Sequence, residues 1–176
     1  PDLCPRYMAA AVSDVKIVPS DETIAKRLKS VGLRPINSIV DITNYVLIEI
    51  GQPMHAFDAS KLEGGRIVVR RARNGEKIVA LDNKEYALDD SMVAICDVAK
   101  PCAIGGVMGG ANSCIDGDTK DIVFESAKFM RDNIRRTSRK LNLRSDSSFR
   151  YERGIDTDSQ RLGLMRALTL IYKFGY

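Results

Sequence analysis

The stretch "GRIVVRRARNGEKIVALDNKEYALDDSMVAICD", residues 65–97, decides the fold class of this 176-residue chain. Four short runs rich in β-branched residues (RIVVRRA, EKIVAL, EYAL and MVAIC) follow one another with no helical period. The pairs Asn74-Gly75, Asp82-Asn83 and Asp89-Asp90 separate them, and each supplies the residue types that a tight turn demands. The spacing therefore predicts an antiparallel meander.

On the N-terminal side the pattern is different. "RYMAAAVSDVKIV" (6–18), apolar and bounded by Pro5 and Pro19, predicts a strand. "SDETIAKRLKSVGL" (20–33) predicts a helix, with Ser20 as N-cap, Asp21 and Glu22 in the first turn, and Gly32 as terminator. "NSIVDITNYVLIEIG" (37–51) predicts a second helix with Asn37 or Ser38 capping and Gly51 at its end, although its β-branched content also allows a strand.

Beyond the meander, "CAIGGVMGG" (102–110) and "DIVFESAKF" (121–129) read as further strands. "MRDNIRRTSRKLNL" (130–143) and "DTDSQRLGLMRALTLIYKF" (156–174) read as helices joined by the loop "RSDSSFRYERGI". Strands and helices occur in blocks rather than in βαβ alternation. The prediction is α+β, with mostly antiparallel sheets flanked by helices in one compact module of two interleaved subdomains.

Composition excludes several classes. The 44% of apolar residues supports a packed interior rather than disorder, and no apolar run approaches the ~20 residues of a membrane span. No signal peptide is written at the N-terminus. Cys4, Cys96, Cys102 and Cys114 form no C-x-x-C pair, and the single histidine excludes a Cys2His2 zinc site, so free thiols and no metal are expected. A start at Pro1 and an end inside an apolar helix suggest a segment cut from a longer chain.

The net charge of +4 hides an asymmetry. Residues 131–153 hold eight basic against three acidic side chains, +5, which leaves −1 for the rest. At helical spacing Arg135, Arg139 and Asn142 share a side, with Arg136 and Lys140 beside them. This is either a solvated face or a phosphate-contacting one.

Four other features bear on chemistry. "GGVMGG" (105–110) lacks the Lys-Ser/Thr of a phosphate loop and reads as a glycine wall that lets backbone approach a ligand or strand. "DGDTKD" (116–121) lacks the sixth-position glycine and twelfth-position acid of a calcium loop and reads as an acidic turn. His55, in "GQPMHAFD", has no assignable nucleophile partner and by itself reads as structural. Alternation in "IVFESA" puts Glu125 on one face with Val123 and Ala127, so its carboxylate points inward. It is there either paired with an arginine or waiting for a ligand's donor.

Taken together, "RPINSIVDITNYVLIEIGQPMHAFD", "GGVMGG", "IVFESAKF" and "LRSDSSFRYERGID" resemble the bacterial-type phenylalanyl-tRNA synthetase β-subunit family. The likeness is to its central B-three/B-four editing module and runs in order from about Cys4 to Leu170. It implies hydrolysis of tyrosine wrongly esterified to the phenylalanine tRNA, with residues 1–176 forming that module. Arg34, Thr43, Asn44, His55, Gly109, Glu125, Ser145 and Ser147 match pocket positions. The resemblance casts Glu125 as acceptor for the tyrosine phenol, aided by backbone near Gly109. His55 is cast as orienting water or substrate near the ester, and Arg34 as contacting the tRNA end or bracing the pocket.

Ser147 departs from the family, in which a small alanine is common at that position, so its hydroxyl either narrows the pocket or adds a hydrogen bond. Arg135, Arg136, Arg139 and Lys140 are the candidate RNA-contacting residues. Implied partners are the synthetase α subunit, the remainder of the β subunit, tRNA(Phe), and tyrosine or phenylalanine as small ligands, in the cytoplasm and without a membrane. No cofactor is expected in this domain, ATP and Mg belonging to the synthetic site of the whole enzyme. The competing readings are a scaffold without catalysis, marked by a filled pocket, and a general RNA-binding module, which rests on the basic run alone.

Overall fold

The computed structural model describes residues 2–176; Pro1, the first residue of the expected 1–176 module, lies outside the described residues. Among the described residues, nine strands and five α-helices follow in chain order: β1 (Arg6–Val12), α1 (Glu22–Ser30), α2 (Ser38–Ile50), β2 (Met54–Asp58), β3 (Val68–Arg71), β4 (Lys77–Val79) and β5 (Glu85–Ala87). Then come β6 (Val93–Cys96), β7 (Pro101–Ile104), β8 (Met108–Gly109), β9 (Ile122–Lys128), α3 (Arg131–Lys140), α4 (Asp146–Tyr151) and α5 (Ser159–Phe174). The sheets are antiparallel throughout, as the α+β reading requires.

The first sheet has the order β1-β9-β2, so the last strand in sequence lies between the first two. The second has the order β3-β6-β7-β8, and β4 and β5 form a separate hairpin. Here the predicted meander needs correction. β3 pairs with β6, not with its successor, and the β4–β5 hairpin is a loop-out between them. Turn residues specify where a chain reverses but not which strand it returns to. "CAIGGVMGG" is likewise a hairpin of β7 and β8, since Gly106 adopts φ +69° and turns the chain.

Local chemistry accounts for the helices. Asn37 accepts from the Val40 N–H at 2.9 Å to start α2, and Gly51 ends it in the left-handed region at φ +85°. For α1 the cap is Asp21, accepting from the Thr23 N–H, one residue later than the predicted Ser20, whose hydroxyl instead donates to the buried Asp41 carboxylate at 2.6 Å. The predicted loop "RSDSSFRYERGI" contains α4. Ser145 and Ser148 form a reciprocal capping box there, a signal with serine in the place usually taken by Glu or Gln.

Two apolar clusters fill the interior. Ile39, Ile42, Val46, Phe124, Leu164 and Leu170 belong to the one where α1, α2 and α5 cover a face of the first sheet. Phe57, Ile78, Ile95, Ile104, Phe129 and Tyr151 belong to the other, on the side of the second sheet. The segments before about residue 57 and after 155 build mainly the first cluster, and the middle of the chain builds the second. This is the interleaving of two subdomains. The four cysteines are free, with Cys96 and Cys102 buried.

Gln52 joins the halves. Fully buried, it donates through Nε2 to the carbonyls of Pro53 (2.8 Å) and Ala127 (3.0 Å) and accepts at Oε1 from Ser159 Oγ (2.6 Å) and Gln160 Nε2 (3.0 Å). Gly163 on α5 leaves room for it, since a Cβ there would lie 2.9 Å from Gln52 Cγ. Replacing Gln52 by leucine keeps the volume but strands several buried polar atoms, each costing about 1–3 kcal/mol. Denaturant unfolding should show Gln52→Leu less stable by about 3 kcal/mol or more. Lys26→Ala, which breaks only the exposed pair with Glu22, should change stability by less than about 0.5 kcal/mol.

Candidate functional site

Strand register brings the site together. Ala9 on β1, Glu125 on β9 and His55 on β2 lie side by side across the first sheet. Side chains alternate along a strand, so Ile122 and Phe124 enter the helical cluster while Val123, Glu125 and Ala127 face the second sheet. Glu125 thus stands on an apolar face with only 7% of its surface exposed.

Between the two sheets the packing is incomplete and leaves a cavity of about 250 Å³. Thr43, Asn44 and Leu47 of α2 contribute to its wall, as do Pro53, Met54 and His55 around β2, Leu81, and the hairpin residues Ala103, Ile104 and Gly106 through Gly109. Glu125, Ser145, Asp146, Ser147 and Tyr151 complete it. This is below the ~300–1,000 Å³ usual for drug-sized ligands and suits a single amino-acid side chain.

Seven of the eight pocket residues singled out from sequence (Thr43, Asn44, His55, Gly109, Glu125, Ser145 and Ser147) line this one cavity. Arg34 does not. It is exposed in the connection between α1 and α2, where the Leu33 N–H closes the end of α1 on Leu28 O and the chain turns outward. The arginines of α3 form a separate shallow surface: Arg135, Arg136 and Arg139 are exposed beside Asp132. Lys140 is engaged elsewhere, 2.6 Å from the Asp89 carboxylate.

Glu125 Oε2 accepts a 2.9 Å hydrogen bond from the Tyr7 phenol. The arginine pair open to it on sequence grounds is not made by any described residue. Burial pushes the Glu125 carboxyl up to about 7, against the lowering effect of the Tyr7 hydrogen bond. Burial acts in the opposite sense on the imidazole beside it and pushes His55 down to about 4. The His55 ring packs edge-on against Phe57 at 4.6 Å, and its Nε2 is shielded from solvent without a hydrogen-bond partner.

The glycine run fits against these groups. A Cβ on Gly109 would lie 2.4 Å from His55 Cε1, so no larger residue fits there with the ring in place. Gly110 approaches the Cys102 carbonyl as closely, at 2.6 Å for the same construction. The hairpin turn is held from α4: Ser145 Oγ donates to Val107 O at 2.5 Å and Ser147 Oγ to Gly106 O at 3.1 Å. The hydroxyl that distinguishes Ser147 from alanine is therefore used on the protein's own backbone. "DGDTKD" is a structural turn, its Asp116 holding Lys61 at 2.6 Å.

Sequence reasoning missed Tyr7, Leu81, Gly106 and Tyr151. Gly106 lay in a noticed run; Tyr7 and Tyr151 reach the site only through strand pairing and helix docking, which no local pattern encodes.

The two shifted groups predict a pH dependence of stability. For Glu125 the folded value is above the unfolded one, so stability falls as pH rises from about 4.5 to 7. For His55 it is below, so stability is full above about 6.5 and is lost as pH falls toward 4. The two nearly cancel between about pH 4.5 and 6.5 in the native protein. Glu125→Gln removes one of them, and its melting temperature should drop by several degrees more than that of the native protein between about pH 6.5 and 5. Parallel melting curves would contradict the burial of these groups.

Seven of the eight residues singled out by the family resemblance meet in this cavity, and comparison with known proteins bears out the family itself. A family model described as the B3/4 domain matches residues 3–175. The phenylalanine–tRNA ligase beta subunit of Syntrophus aciditrophicus is 52% identical over 171 residues, 97% of this chain and 21% of the relative. That of Clostridium acetobutylicum is 48% identical over 173 residues, 98% of this chain and 22% of the relative. The chain thus spans about a fifth of the length of these relatives. An N-terminal fragment of the phenylalanyl-tRNA synthetase beta subunit from Pyrococcus horikoshii shares the fold at 13% identity, with a TM-score of 0.63 over 99% of this chain and 46% of that one. The chain belongs to the B3/4 domain family, in the form carried by phenylalanine–tRNA ligase beta subunits.

Proposed function

We propose that this domain, within a longer ligase chain, hydrolyses tyrosine mistakenly esterified to tRNA(Phe). The observation that carries the reading is a carboxylate, Glu125, held in the wall of an amino-acid-sized cavity on an otherwise apolar sheet face. Tyrosine and phenylalanine differ by one hydroxyl, and a phenylalanine-shaped synthetic site discriminates poorly against an analogue that adds one. A buried carboxylate reverses the preference. The tyrosine phenol donates to it, whereas phenylalanine leaves it facing an apolar ring, at a cost of about 1–3 kcal/mol or more for a charged group.

Hydrolysis in this reading depends on placement rather than on a protein nucleophile. Neutral at physiological pH, with its basicity reduced by burial, His55 is a poor proton acceptor but a fixed hydrogen-bonding group beside the Gly109 backbone. It orients the water or the ester. The Thr43 hydroxyl, bonded to Val40 O, and Asn44 shape the wall from α2. Ser145 and Ser147 keep the glycine turn in position. Positioning a water against an activated ester supplies a large share of the required acceleration by proximity alone.

Arg135, Arg136 and Arg139, exposed on α3, and Arg34, exposed between α1 and α2, are assigned to the tRNA backbone rather than to the chemistry. The α subunit, the remainder of the β subunit and tRNA(Phe) are the proposed partners, and no cofactor is assigned to this domain. The open cavity favours this reading over a non-catalytic scaffold, for which the space between Glu125, His55 and Gly109 would be filled.

The test is deacylation of Tyr-tRNA(Phe) and Phe-tRNA(Phe) by the full synthetase. Glu125→Ala should lower the preference for the tyrosyl ester by about tenfold or more. His55→Ala should reduce kcat about tenfold for the tyrosyl ester, while aminoacylation is retained in both variants. Unchanged hydrolysis in both would end this assignment of the site.

A further inference from the structure

We propose that Tyr7 is a specificity-determining positioning residue, whose phenol occupies one oxygen of Glu125 and leaves the carboxylate a single oxygen with which to accept the phenol of a tyrosyl ligand. The inference rests on the editing reading and names what makes its recognition group selective.

Tyr7 pairs with Ala127 and Ala9 with Glu125, so Tyr7 is the diagonal neighbour of Glu125 on the same sheet face. Its hydroxyl lies 2.9 Å from Oε2, yet its side chain takes no part in the cavity wall. The protein thus already makes, from behind the wall, the interaction that a tyrosine ligand would make from within it. A carboxylate has acceptor sites on both oxygens and can hold two phenols at once.

No other described group takes over this task. The titratable side chains around Glu125 are Cys4 ahead of β1, Tyr7 on β1, His55 on β2 and Tyr151 on α4, with Asp146 farther along the cavity lining. Burial keeps the thiol, both phenols and the imidazole uncharged, so none offers a positive charge. Tyr7 is then the donor that favours the ionised carboxylate.

The charge state decides selectivity. An ionised carboxylate facing a phenylalanine ring is a buried charge short of one partner, which is costly. A protonated carboxyl is far cheaper to leave unpaired and can turn its own proton inward. Without Tyr7 the carboxyl titrates above the value of about 7 that it has beside the phenol, its neutral form gains at physiological pH, and phenylalanine is no longer strongly rejected.

The experiment is Tyr7→Phe, which keeps the ring and deletes the donor, in the full synthetase, with hydrolysis of tyrosyl- and phenylalanyl-tRNA(Phe) followed across pH. The expected result is that the tyrosyl preference falls about tenfold near pH 7 and recovers toward about pH 9, as Glu125 ionises, while the native preference, its carboxyl already about half ionised at pH 7, rises only about twofold over that range. If both esters slow alike with an unshifted pH profile, Tyr7 merely packs and the proposal is overturned. Native enzyme that hydrolyses neither ester overturns the editing reading, and the assigned ligand with it. Difference infrared spectra of the carboxyl stretch, with Glu125→Gln as blank, are independent of turnover. Tyr7→Phe should raise the Glu125 titration midpoint, and an unmoved midpoint refutes the hold of Tyr7 on Glu125.

Discussion

A central strand covered on both faces has to serve two cores with alternate residues, and β9 does this between β1 and β2. Ile122 and Phe124 are fully buried under the helices, while Ala127 and the half-buried Val123 belong to the other side. A one-residue slip in register would put Glu125 into the helical core and Phe124 into the cavity. Register is therefore fixed by burial, and with it the row Ala9, Glu125, His55 that defines the site. Gln52 reinforces the arrangement, because its bonds to Ala127, Ser159 and Gln160 join β9 to the final helix.

The cavity exists because the chain withholds volume at selected points. All four glycines of the run at 105–110 abut something that a Cβ would strike: Gly105 meets Val93, Gly106 meets Ile134, Phe129 and Tyr151, Gly109 meets His55, and Gly110 meets the Cys102 carbonyl. Such a turn has little side-chain mass of its own to hold it. The hydroxyls of Ser145 and Ser147 do this by bonding to the carbonyls of Val107 and Gly106. The capping box of α4 is thus part of the site, fixing the hydroxyls at the distance the turn requires.

Much of this was legible in the sequence wherever the determinant is local. Caps, turns and alternation located seven strand-forming runs, four of the five α-helices and the inward face of Glu125, but not β2, whose residues around His55 read as a loop. The errors have a common origin. β4 and β5 read as members of a meander because their turns are correct, but the pairing of β3 with β6 is settled by which faces bury best against the second core. α4 was hidden because its box uses serine at both positions. Most of the pocket came from family resemblance, since His55 and Glu125 are 70 residues apart and only register makes them neighbours. Tyr7 is more remote still: its part depends on a diagonal across a strand pair.

The electrostatics divide the work between the cavity and the surface. Inside, burial lowers the imidazole until it is uncharged and raises the Glu125 carboxyl to about 7, so the only charge in the cavity wall near His55 is one that a hydrogen-bond donor such as Tyr7 holds in place. The phenol of the proposed tyrosyl ligand is an uncharged group, and a strongly charged pocket would attract charged competitors more than it would separate two aromatic side chains. Positive charge sits instead on the exposed face of α3, where arginines act through solvent over a Debye length of about 8–10 Å. A polyanion can be drawn there without disturbing the poise of Glu125. On the proposed editing reading, the attraction of the nucleic acid and the reading of the amino acid fall on separate surfaces, which lets each be strong in its own terms and leaves the buried carboxylate to sense a single hydroxyl.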